Sequence, residues 1–191
     1  MRELLSSLVA GILLTGILTA TPFSAVAQQQ QQAQNMTTAT TQVQSSPQSE
    51  SMEKENNKAL VTSFIEEVFN QHNLSAVDKY YAQDLIQHSP QAGNGSEGFK
   101  QQFGPFFEAF PDSHITIEHM IAEDDLVMAF LSTTGTRTGE YLGAPPTNNT
   151  IVLRSADLFR IQDGMIVEHW DVVDSLNLLS EIGVISFNNN N

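Results

Sequence analysis

The sequence predicts an α+β domain over residues 53–187, with a curved antiparallel sheet wrapped around N-terminal helices. Apolar residues up to Phe110 recur at helical spacing, those after Pro111 alternate as on strands, and Asp163-Gly164 sits between two β-rich runs as a hairpin signal. Helices followed by antiparallel strands define the class. A sheet wrapped in this way forms a cone with a closed apolar end and an open mouth, a natural ligand pocket.

In the first helix, Val61, Phe64, Ile65, Val68 and Phe69 form one stripe between Asn57 and Asn70. Gln71-His72-Asn73 ends it. Ser75 is positioned to cap a short second helix, with Asp78 in its first turn and Val77, Tyr80 and Tyr81 for packing. A third helix starts at Ser96-Glu97 and carries Phe99, Phe103, Phe106, Phe107 and Phe110; Gly104-Pro105 is expected to kink or split it. Ile115, Ile117 and His119 alternate with Thr116, Glu118 and Met120 on a strand, Asp124-Asp125 turns, and Leu126–Thr134 is β-rich. Ile151–Ile161 and Met165–Val173 pair around Asp163-Gly164. Leu176, Leu178, Leu179 and Ile182 form a closing helix, with Asp174 or Ser175 near its start and Gly183 past its end.

The flanks read differently. Met1-Arg2-Glu3, an uncharged stretch from Leu8 to Ala20 and the small-residue pattern Ala25-Val26-Ala27 make residues 1–27 a signal peptide. The alternative is an uncleaved anchor, although a bilayer span needs about 20 apolar residues. Residues 28–52 are a Gln/Ser/Thr-rich disordered linker with almost no bulky apolar residue, and residues 188–191 a disordered tail. The expected location is secreted or extracytoplasmic, membrane-tethered only if the N-terminal segment is retained.

The chain has 22 acidic against 8 basic residues, a net charge of −14, which repels nucleic acid and anionic membrane surfaces. The absence of cysteine excludes disulfides and thiolate nucleophiles or metal ligands. His114 and His119, an odd number apart on a strand, are expected on opposite faces, so no metal is expected there. Gly93-Asn94-Gly95 lacks the lysine of a phosphate loop, and no G-x-S-x-G elbow occurs. Asn35, Asn73, Asn94 and Asn148 head N-x-[ST] sequons, acceptors for glycosylation in an exported chain.

Gln87-His88-Ser89-Pro90, Ala109-Phe110-Pro111-Asp112, the stretch Gly135-Thr136-Arg137-Thr138-Gly139-Glu140 before Gly143-Ala144-Pro145-Pro146-Thr147, and Arg160 through Glu168-His169-Trp170-Asp171 to Asp174 carry a recognisable pattern in order. Over residues 55–184 it resembles the SnoaL-like polyketide cyclases, also called ester cyclases. The resemblance implies the fold of nuclear transport factor two. It also implies an acidic residue acting as acid/base in an intramolecular aldol closure, and dimerisation through the open sheet face. Arg137 stands where the family usually has histidine, Asn148-Asn149 replaces Gly-Lys, and Ser180-Glu181 replaces Gln-Gln.

The matching carboxylates are Asp171 first and Asp174 second, the alternative being solvated or helix-capping aspartates. His88 either donates to a substrate carbonyl at the mouth or bonds backbone in a loop. A two-residue turn pairs Gln162 with Met165, placing Leu158 opposite His169 and Ala156 opposite Asp171. Arg154, Leu158, Arg160, His169 and Asp171 then share one face; Asp157, Phe159, Ile161, Ile166, Glu168 and Trp170 share the other. Either face can line the pocket. The second is richer in apolar residues and brings Asp157 and Glu168 as its acids. A bulge would swap the faces beyond it. Trp170, His169, Arg137, Phe103 and Phe107 complete the candidate ligand contacts, with core packing or an outward position as their alternatives. The functional expectation is a cofactor-free cyclase, isomerase or hydrolase acting on a small apolar carbonyl compound, as a homodimer. The alternative is a non-catalytic ligand-binding or dimerisation module of the same fold.

Overall fold

The computed structural model describes residues 46–186. The expected signal peptide, the expected linker up to residue 45 and the expected terminal tail lie outside them. Helix α1, Pro47–Phe64, begins inside the stretch read as linker and before the expected start at Asn57. Ser46 caps it by accepting the Ser49 N–H, and Pro47 occupies its first turn, where no backbone donor is needed. Its early turns are polar and exposed, so apolar periodicity could not reveal them. The buried stripe Val61, Phe64, Ile65 and Val68 forms as expected, and the last turn, Ile65–Asn70, is π-helical. Asn70 then holds the helix end to the sheet. Its Oδ1 accepts the Ile115 N–H at 2.7 Å and its Nδ2 donates to the Ile115 carbonyl at 3.1 Å.

A short 3₁₀ turn, Leu74–Lys79, follows Asn73. Ser75 lies inside this turn and donates to Asn73 Oδ1, so it is not the cap. Strand β1, Tyr81–Gln87, was not anticipated. Its buried residues, Tyr81 and Leu85, are four apart, and the register is irregular between Tyr81 and Ile86, so no alternation marks it in sequence. Helix α2, Gly95–Ala109, is one helix through Pro105 and is not split there. Gly104 has no Cβ to clash with the proline ring, and Gln101 and Pro105 are exposed, so the carbonyl that Pro105 cannot bond stays solvated.

The remaining strands are β2 (His114–Glu123), β3 (Leu126–Thr136), β4 (Thr150–Gln162) and β5 (Met165–Val173). They form a curved, unclosed sheet in the order β1-β5-β4-β3-β2. All neighbours are antiparallel except β1 and β5, so the sheet is mixed rather than wholly antiparallel. Asp163 (φ 52°) and Gly164 (φ 73°) both take left-handed backbone, the mirror-image turn that suits a two-residue hairpin.

Register shifts change the expected faces. In β2 the ladder slips between Ile117 and His119, so His114 (opposite Thr134) and His119 (opposite Phe130) share the outer face. The parity argument against their pairing therefore fails. No cluster of three or more potential metal ligands occurs among the described residues. In β5 Val167 is the extra residue: Ile161 pairs with Ile166, but Arg160 pairs with Glu168. Beyond it, Leu158 faces Trp170 and Asp157 faces Asp171, not the pairs expected from an unbulged ladder.

The α1 stripe packs on the inner sheet row of Val127, Ala129, Leu131, Phe159, Ile161 and Ile166. A second apolar cluster joins Phe106, Phe110 and Ile151 to Leu178 and Ile182 around helix α3, Ser175–Glu181. Asp174 caps α3, and Gly183 (φ 77°) follows its end.

Helix α2 and the loop before it meet where only glycine fits. A Cβ on Gly98 would stand 2.2 Å from the Gly93 carbonyl oxygen. Gly98→Ala is expected to destabilise the domain by about 1–3 kcal/mol, as overpacking does. Urea unfolding checks this, and unchanged stability would refute the close approach.

Candidate functional site

Between α1, α2 and the inner sheet face lies a cavity of about 730 Å³. Its deep wall is aromatic: Phe64, Phe69, Tyr81, Phe99, Phe103 and Phe159. Gln87, Gln91, Gln101, Gln102, Glu140 and Leu142 also line it. A space of this size and character suits a small, mostly apolar molecule.

The polar groups gather on the β4–β5 wall. Asp157 and Asp171 are direct cross-strand partners, and both line the cavity. Asp157 is 8% exposed, and its Oδ2 accepts the Ser155 hydroxyl at 3.0 Å. His169 lies on the same wall, stacked on Phe159 with ring centroids 4.8 Å apart. Its Nδ1 is 3.0 Å from Gln87 Oε1, and its Nε2 is 3.8 Å from Asp157 Oδ1. Tyr81 enters from β1. Burial, then Asp157 and Asp171, raise its phenol far above the usual tyrosine range. The hydroxyl therefore stays neutral and able to donate.

The bulge at Val167 assembles this wall. Without it, His169 and Asp171 would face away from Asp157 and Phe159. Asp171, His169, Asp157 and Phe103 are thus brought together from the sequence candidates. The other candidates lie elsewhere. Asp174 accepts the Asn177 N–H as the cap of α3. Phe107 stacks on His72 at 4.6 Å. Glu168 and Trp170 lie on the outer face, because the bulge turns them there, and His88 meets them on that side. His88 stacks on Trp170 at 4.3 Å and bonds Glu168 Oε2 at 2.9 Å. Arg160 bonds Glu168 and Asp125 and lies over the Trp170 ring at 5.7 Å. His88 and then Arg160 hold the Glu168 carboxyl below its ordinary value of 4.5. Tyr81 and Gln87 were missed as site residues because β1 itself left no periodic signal.

Arg137 does not line the cavity. Its N–H bonds the Asn149 carbonyl, and its carbonyl accepts from Asn148. These bonds extend the ladder, so Arg137 keeps the inward parity of Thr133 and Gly135. It is 1% exposed, and its Nε and Nη1 have no partner among the described residues. Two of the three guanidinium nitrogens are thus buried without a hydrogen bond, an unfavourable place for a cationic group. Arg137→Met keeps the apolar stem and removes the charge. It is expected to raise stability by about 1–4 kcal/mol. Chemical denaturation checks this, and a loss of stability would show that the charge is compensated.

The curved, unclosed sheet of this α+β fold thus brings two carboxylates, a histidine and a phenol to one apolar cavity. The sequence matches the SnoaL-like polyketide cyclase family over residues 59–182, and the chain belongs to that family. Membership supports a cyclase- or isomerase-type role. AclR of Streptomyces galilaeus, described as a candidate hydroxylase, is 28% identical with a TM-score of 0.64, covering 70% of this chain and 99% of its own. IdmH of Streptomyces antibioticus, described as a candidate polyketide cyclase, is 26% identical with a TM-score of 0.59, covering 66% and 98%. A SnoaL-like protein of Jannaschia sp. CCS1, at 24% identity and a TM-score of 0.63 over 74% and 98%, shares the fold. No curated protein matches the sequence.

Proposed function

We propose that this protein is a cofactor-free acid–base catalyst of the cyclase type, acting on a small apolar carbonyl compound. The observation that carries the reading is the convergence of Asp171, Asp157 and Tyr81 on one cavity. The Asp171 carboxylate removes a proton from carbon beside a carbonyl, and the electron pair becomes an enolate. The neutral Tyr81 hydroxyl donates to the enolate oxygen, where charge develops. The enolate carbon then attacks a second carbonyl of the same molecule. One carbon–carbon bond forms, and the new alkoxide takes back the proton held by Asp171. Atoms and charge balance without a cofactor. The cavity holds the two ends close, which replaces a bimolecular encounter by an intramolecular one.

The test is aldol cyclisation of an aromatic diketone by the 46–191 domain. Asp171→Asn is expected to lower kcat by about 10²–10⁴-fold, and Tyr81→Phe by about 10²–10³-fold. Asp174→Asn should leave kcat unchanged while lowering stability through the lost α3 cap. Full activity in Asp171→Asn would sink the assignment.

The reading also places this chemistry outside the cytoplasm, because residues 1–27 have the pattern of a cleaved signal. N-terminal sequencing of the exported protein is expected to begin at Gln28. Retention of Met1 on a membrane-bound product would show an anchor instead.

A further inference from the structure

Gln87 ends β1 directly opposite His169 on β5, and the next residue's N–H bonds the His169 carbonyl at 2.8 Å. Its side-chain Oε1 lies 3.0 Å from the Ser89 N–H and 3.0 Å from His169 Nδ1. A backbone N–H can only donate, so the Gln87 atom that meets Ser89 is its carbonyl oxygen. That oxygen can only accept, so the His169 nitrogen beside it must carry a proton. Neutral imidazole has one N–H, which leaves Nε2 with its lone pair exposed toward Asp157. A half-turn of the ring would keep the Phe159 stack but put carbon atoms at both contacts.

We propose that Gln87 is a positioning residue that fixes the tautomer of His169, and that the pocket wall so formed selects ligands bearing a hydrogen-bond donor such as a phenol or enol hydroxyl. The selection follows from what the wall presents. In its neutral form His169 offers an acceptor at Nε2, and Asp157 and Asp171 offer carboxylate oxygens. Ser155 already gives its proton to Asp157. The 3.8 Å between Nε2 and Asp157 Oδ1 is too long for a direct bond. A ligand hydroxyl placed beside them can donate to either, whereas a methyl ether has no proton to give and its oxygen meets only other acceptors, and a carboxylate meets like charge. The Tyr81 hydroxyl remains free to meet a ligand carbonyl. The donor preference deepens the cyclase reading by naming a substrate feature, and so rests on this cavity being the binding site. The tautomer does not depend on that reading.

The experiment uses ligand binding and NMR, neither of which needs turnover. Long-range ¹H–¹⁵N correlation at pH 8, above the ordinary histidine range of about 6.5, is expected to show His169 protonated at Nδ1. Gln87→Leu should shift the proton to Nε2 or to a mixture, and Gln87→Glu, which keeps an acceptor, should restore Nδ1–H. In parallel, 2-naphthol should bind at least about tenfold more tightly than 2-methoxynaphthalene, the scale of one hydrogen bond to a charged group. In Gln87→Leu that ratio should fall, because His169 Nε2 then carries a proton and only the carboxylates still accept. A wild-type Nε2–H tautomer, or equal binding of the two naphthalenes, overturns the proposal. So does a Gln87→Leu protein that keeps both the tautomer and the ratio. If the preference is seen but no diketone is cyclised, the positioning role stands and the cyclase reading falls.

Discussion

Side chains on a strand alternate between faces, so one extra residue moves everything beyond it to the opposite side. In this protein the extra residue is Val167, and the content of the cavity depends on it. With it in place, His169 and Asp171 stand inside beside Asp157 and Phe159, and Glu168 and Trp170 stand outside. In an unbulged hairpin the acids would be divided differently, and no wall would carry both cross-strand aspartates. The tight Asp163-Gly164 turn starts the register, and the bulge three residues later corrects it.

The same residues that leave the cavity hold the outer face together. Glu168 receives His88 from the end of β1 and Arg160 from β4, and Arg160 continues to Asp125 in the β2–β3 turn. The His88 ring lies flat on Trp170, with Arg160 over its indole. A stretch that reads as one signature, Glu168-His169-Trp170-Asp171, thus divides its labour by parity. Alternate members face the ligand space, and the others fasten β1 to the sheet. Fastening β1 matters because it carries Tyr81 and Gln87 to the polar wall.

Two buried ionisable groups show how the interior treats charge. Tyr81 avoids ionisation: burial and two nearby carboxylates keep its proton in place, which suits a donor. Arg137 lies outside the cavity lining, buried, with Nε and Nη1 unpartnered among the described residues. It therefore bears on the interior of the fold rather than on the lining of the pocket.

Much was legible in the sequence. The helix stripe at Val61, Phe64, Ile65 and Val68, the strand runs, the Asp163-Gly164 turn and the ordered motifs are local patterns, and local physics sets them. They sufficed for the α+β class and for placing Asp171 among the candidates. The unreadable parts are non-local. Strand β1 pairs in parallel with β5 across the chain, so no neighbouring residues announce it. The helix start at Pro47 is polar and carries no periodicity, and Gly104 let α2 pass through Pro105. The bulge at Val167 leaves no mark in composition, because it is decided by how β5 packs against β4 and β1. The sequence alone therefore determined which groups this protein has available for chemistry. Tertiary structure decided which of them meet, because a face assignment depends on register, and register is set by partners distant in the chain.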